Sequence, residues 1–162
     1  MKNIFPLNVF FVVLLLILSS CISHSTANDD FPAVNVPAKA MNTVIQIEEL
    51  PQFFNSNKNN TPITLHVKNL SDKTIIFPAD SGISVYTKLG DNWLPVINNM
   101  QYPSEINYLP PFHQDPPGMV ISIFPKIPNM TETQVISIII IGYYENSVEN
   151  HVGAYLDVKL LP

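Results

Sequence analysis

Near the C-terminus, Val152, Ala154, Leu156, Val158 and Leu160 alternate without a break with Gly153, Tyr155, Asp157 and Lys159. A period of two puts every second side chain on the same side of an extended chain, so this segment has one apolar face to bury within a sheet. Ile63-Thr64-Leu65-His66-Val67-Lys68 repeats the pattern, and its phase places His66 on the outward, polar side. Residues 135–141 (VISIIII) are almost wholly apolar and β-branched. That is the composition of a central strand covered on both faces, and it is too short for a membrane span. Residues 43–47, 74–77, 83–89, 93–97 and 119–124 supply further β-rich runs, and Gly90-Asp91-Asn92 suits a hairpin between two of them. Trp93, just after that turn, is expected as a core or sheet-end anchor. No stretch beyond the first twenty residues keeps the i, i+3, i+4, i+7 spacing of an amphipathic helix. Fifteen prolines against five glycines also argue against a helical bundle and against a Gly-rich repeat. The expectation is an all-β chain, a single antiparallel β-sandwich, immunoglobulin-like in scale, of about eight strands. A small barrel is the alternative.

The N-terminus is of another kind. Lys2 is followed by the unbroken apolar run 9–18 (VFFVVLLLIL), which has the length of a secretory signal core rather than of a membrane helix. It stops at Leu18-Ser19-Ser20-Cys21. An aliphatic residue, two small residues and a cysteine directly after such a run resemble the precursor of a bacterial lipoprotein. The resemblance implies a signal peptide over residues 1–20 and an acylated Cys21 as the first mature residue. Two or more acyl chains give stable anchoring at about 0.8 kcal/mol per buried CH₂. An ordinary signal peptide, with Cys21 merely near the cut, is the competing reading. Ile22 rather than Asp after the cysteine would favour the outer membrane in a Gram-negative envelope. Residues 21–40 read as a flexible tether, and residues 41–162 as the sandwich domain.

A second, shorter resemblance lies in residues 67–77, VKNLSDKTIIF. A V-x-N-x-S segment joining two strands is similar to the opening of many bacterial immunoglobulin-like domains, which implies a strand–turn–strand unit here. The sequence also carries three Asn-x-Ser/Thr triplets, at Asn59, Asn69 and Asn129, which match the glycosylation acceptor pattern.

Composition excludes several functions. Eight basic residues, all Lys, stand against thirteen acidic ones. Loss of Lys2 with the signal peptide leaves seven against thirteen, a charge of −6, which offers no footprint for a nucleic-acid backbone. One cysteine rules out an intrachain disulfide framework and a Cys-rich zinc site. The glycines at 82, 90, 118, 142 and 153 are too dispersed for a phosphate-cradling loop or a dinucleotide fingerprint. No Gly-x-Ser-x-Gly elbow is present. Glu48 and Glu49, adjacent on one expected strand, would face opposite sides and could not act as a catalytic pair. No cofactor is implied.

Residues 95–118 stand apart, with six prolines, three large aromatics and no convincing strand. Loops of this length are uncommon in compact domains and are usually functional or disordered. Tyr102, Tyr108, Phe112 and His113 are the candidate binding residues, a Pro-stiffened platform for a sugar ring or peptide. The bland reading is that these rings cap one open end of the sandwich. His113 and Asp115, with Glu105 nearby in sequence, could instead furnish a metal site or a base with its orienting partner. The expected function is that of a membrane-anchored envelope or cell-surface lipoprotein whose non-enzymatic domain binds protein, peptide or glycan. An envelope enzyme or metal-binding protein using His113 and Asp115 is one alternative, and a structural lipoprotein pairing through an edge strand is another.

Overall fold

A computed structural model describes residues 31–32, 34–50, 57–78, 82–99, 107–112 and 118–162. Apart from a 3-10 turn at Ala38–Ala40, its regular elements are strands. These are β1 Ile45–Glu49, β2 Ile63–Asn69, β3 Ile75–Phe77, β4 Ile83–Leu89, β5 Asn92–Pro95 and β6 Ile97–Asn98. They are followed by β7 Asn107–Leu109, β8 Met119–Ile123, β9 Pro125–Lys126, β10 Gln134–Tyr144 and β11 Ser147–Leu160. All strand pairings are antiparallel, as expected for short β runs joined by turns. The first sheet has the order β1-β2-β8. In the second, β10 pairs β11 along one edge, while its other edge pairs β4 over Ile136–Ile140 and β3 over Tyr143 and Tyr144. β5 extends from β4, and β7 from β3. Strands β6 and β9 form a separate two-stranded ladder. The sheets remain open and pack as an all-β sandwich, not a barrel.

Alternation sets the core. Ile63, Leu65 and Val67 of β2 point inward with Ile45 and Ile47 of β1, and meet Ile136, Ile138 and Ile140 of β10 from the opposite sheet. Each fully buried Ile contributes about 1.5–3 kcal/mol of transfer free energy. The other phase of β2 faces outward. His66 lies there, half-buried, opposite Glu48 of β1 and Val120 of β8. Glu48 accepts a hydrogen bond from Lys68 Nζ at 2.6 Å, and this bond holds its carboxyl below the usual carboxylate range.

Residues 136–140 are buried throughout, and the two covers differ. The inner face meets the first sheet, but Ile139, pointing the other way, is covered by Val36 and Met41, with Phe31, Val34, Tyr86 and Tyr155 around them. Phe31 packs edge-to-face on Tyr155 at 5.0 Å between centroids. Phe31, Val34 and Val36 belong to the span 21–40 that was expected as a flexible tether. Its final part (31–32 and 34–40) lies against the sandwich, because its few apolar side chains find an apolar outer face to cover. Asn42 anchors that strap. In left-handed backbone at φ 59, it donates its N–H to the Gly153 carbonyl (3.0 Å), and its Oδ1 accepts the Tyr155 N–H (2.8 Å). The signal segment, Cys21 and residues 22–30 lie outside the described residues.

Two expectations need revision. The hairpin turn is shorter than expected, since β5 already begins at Asn92 and leaves Gly90 and Asp91 as the loop. Gly90 takes φ 60, the demand a two-residue turn places on its first position. The last strand also begins earlier than the alternating run 152–160, so that His151 lies inside β11 opposite Tyr143. The chain reverses earlier, at residues 145–146.

Candidate functional site

The site begins with a polar residue on the inward phase. Val67 and Asn69 share the buried face of β2, and Asn69 is only 1% exposed. A buried amide must find partners or destabilise the fold. The Asn69 amide nitrogen donates to the carbonyls of Lys73 (2.7 Å), Pro110 (3.0 Å) and Leu109 (3.3 Å). Its oxygen accepts from the Ser71 N–H (2.9 Å) and hydroxyl (2.8 Å). The N-x-S segment thus closes the β2–β3 turn upon itself and fastens it to the end of β7. The Phe112 N–H adds a bond to the Ser71 carbonyl at 3.2 Å.

Residues 95–118, expected to carry no convincing strand, include β6 and β7 among their described residues. β7 pairs β3 with Leu109 opposite Ile75 and Tyr108 opposite Ile76. Only three residues form this strand, too few to register as periodic. Leu109 is fully buried, so alternation turns Tyr108 outward, 58% exposed, and Phe112 beyond the two prolines is 50% exposed. Of the four predicted binding residues, these two are therefore presented at the surface from a backbone tied to the core. Tyr102 and His113 lie outside the described residues, as do Glu105 and Asp115. Among the described residues, no three His, Cys, Asp or Glu side chains converge to hold a metal.

Two turns and the chain after β7 enclose a cleft of about 480 Å³ at this end of the sandwich. Asp72, Lys73 and Thr74 come from the β2–β3 turn, Pro111 from beyond β7, and Tyr144, Glu145, Asn146, Ser147 and Asn150 from the β10–β11 hairpin. The Glu145 N–H donates to the Thr74 carbonyl (3.2 Å), joining the turns. Asn150 Nδ2 donates to Ser147 Oγ (2.7 Å) within the hairpin. Lys73 Nζ stands 5.3 Å from the centre of the Tyr144 ring, within cation–π range. One residue inward, on the outer face of the second sheet, Tyr108, Ile76, Tyr143 and His151 form a row across β7, β3, β10 and β11. Tyr143 and His151 meet edge-to-face, with centroids 6.5 Å apart.

Sequence reasoning missed Lys73, Tyr144 and Asn150. Each sits in or beside a turn, and the only signal was the turn chemistry itself, which does not say which turns meet. The other expected anchor, Trp93, is half-buried on edge strand β5 with Lys88 Nζ 5.8 Å from its ring centre. The acceptor triplets also acquire structural roles. Asn59 pairs with Ile127 like a backbone unit, donating from Nδ2 to its carbonyl (2.7 Å) and accepting its N–H (2.8 Å). Asn129 is exposed and takes left-handed backbone at φ 55. No protein-family model matches the chain, and comparison with curated proteins and with solved structures yields no similar protein.

Proposed function

We propose that this chain is a lipid-anchored module of a bacterial envelope or cell surface, whose non-enzymatic β-sandwich captures a protein, peptide or glycan at the end built by 69–74, 107–112 and 144–150. The observation that carries the binding reading is the exposure of Tyr108 and Phe112, at 58% and 50%, on a segment held by buried Leu109 and by the Asn69 amide. Large rings on a fixed backbone lose little conformational entropy on binding. Replacing both Tyr108 and Phe112 by Ser should leave the melting temperature within about 3 °C, since neither ring is buried. The same change should abolish capture of the native ligand in a cross-linked pull-down from envelope membranes. Undiminished capture would remove this end of the molecule from the binding reading.

The anchor rests on Leu18-Ser19-Ser20-Cys21 after the apolar run. Phe31 lies ten positions after Cys21, a reach of at most about 35 Å, so an acylated Cys21 would hold the sandwich close to the bilayer. Cys21→Ser should shift the protein from the membrane to the soluble fraction and end labelling with radioactive palmitate. Labelling that persists in this variant would refute the lipoprotein reading.

A further inference from the structure

The cleft at the end of the sandwich already holds a cation. Lys73 extends its ammonium over the Tyr144 ring at 5.3 Å, although the residue is itself exposed. Around this pair the balance is acidic. Asp72 and Glu145 line the same cleft, where Lys73 is the basic residue. Glu149, exposed, projects from the same hairpin. The volume of about 480 Å³ exceeds what one side chain fills. Thr74, Asn146 and Ser147 add hydroxyl and amide groups to the wall, suited to the peptide units that would accompany an entering side chain.

We propose that this cleft receives a lysine or arginine side chain from a peptide segment of a partner protein, in the place Lys73 now occupies over Tyr144. The proposal rests on the binding-module reading and names its ligand. Charge complementarity favours a cationic peptide over a neutral glycan. Within the cleft, the Tyr144 ring is already covered by an ammonium rather than open to a sugar face, whereas an incoming cation gains from both the ring and the carboxylates. Lys73 then acts as a built-in competitor. Its flexible four-carbon stem lets it swing into solvent when another cation arrives.

This arrangement fixes the signs of four substitutions. The probe is a fluorescent octalysine peptide, titrated at low ionic strength against the full chain in detergent micelles. It should bind saturably and weaken as salt is added. Lys73→Met should tighten binding about threefold to tenfold by removing the competitor, and Asp72→Asn combined with Glu145→Gln should weaken it by a similar factor. Tyr144→Leu should weaken it as well. Asp91→Asn, on the exposed β4–β5 turn, is the control for general attraction to an acidic protein and should change nothing. The proposal is overturned if Lys73→Met weakens binding or leaves it unchanged, or if Asp91→Asn matters as much as the cleft carboxylates. Absence of saturable peptide binding overturns it too. So does binding of neutral chitohexaose that is lost on the Asp72/Glu145 double substitution. In that last case the module would still bind at this end, so the broader reading would survive the loss of the narrower one.

Discussion

Asn69→Ala should lower the melting temperature by roughly 10 °C, an expected loss of about 2–4 kcal/mol. The side chain is 1% exposed and satisfies three carbonyls and two donors of Ser71. Truncation removes the amide from the Leu109 and Pro110 carbonyls, the first of these bonds being buried, while the Lys73 carbonyl keeps the Ser71 hydroxyl as a donor. A buried group left without its partner carries its desolvation cost. Asn69→Asp separates the two halves of this network. A carboxylate still accepts from Ser71 but has no hydrogens for the three carbonyls, so it should destabilise at least as much as Ala. Circular dichroism melts measure both effects. Limited proteolysis should cut Asn69→Ala faster within residues 95–118, because the amide is what fastens residues 109 and 110 to the β2–β3 turn. A drop of less than about 3 °C for either variant would show that the turn holds without the amide.

Gly82→Ala should be the more damaging change, costing about 3–5 kcal/mol. Gly82 has φ 60, in the left-handed region where a Cβ is disfavoured by about 1–2 kcal/mol. The larger part of the cost is tertiary. A Cβ at this position would fall far inside 3.0 Å of the Ile141 carbonyl oxygen. That backbone cannot yield cheaply, because the Ile141 N–H donates to the Gly82 carbonyl at 3.0 Å and Ile141 belongs to central strand β10. Gly90 supplies the comparison. It also has φ 60, but nothing lies within 4 Å of the added Cβ. Gly90→Ala should therefore cost only about 1 kcal/mol, the backbone share alone. Urea denaturation of both variants measures the difference. Equal destabilisation would mean that conformation, not contact with β10, governs Gly82.

These two positions show where the sequence was informative. The sequence marked Asn69 only as part of a strand–turn–strand unit and an acceptor triplet; that it continues the buried face of β2 and fastens β7 was decided by the structure. Gly82 and Gly90 are indistinguishable as sequence, each a glycine preceding or following a β run. Their difference depends on which strand passes beside them, and for Gly82 that strand is almost sixty residues further along the chain.

The candidate site divides in the same way. Tyr108 and Phe112 were legible because proline-stiffened aromatics are unusual in a long connection. The cleft was not, because residues 72–74, 111 and 144–150 come from three separate parts of the chain. Nor did the segment before β1 show any period. Phe31, Val36 and Met41 pack on the outer face over Ile139 from chain whose one regular element is the three-residue 3-10 turn at Ala38–Ala40, and so short an element leaves no periodic trace.

The sequence by itself determined the β class, the inward phase of β2 and β11, and cover on both faces over most of residues 135–141, of which 136–140 are buried while Val135 is exposed. These follow from the alternation imposed by an extended backbone and from the apolar, β-branched composition of VISIIII, both local properties. The tertiary structure decided which strands pair, that the strap rather than a further strand covers Ile139, and that two turns meet around Lys73 and Tyr144. Pairing and turn contact join residues far apart in the chain, and their free energy comes from surfaces that do not exist until the two sheets have closed on one another.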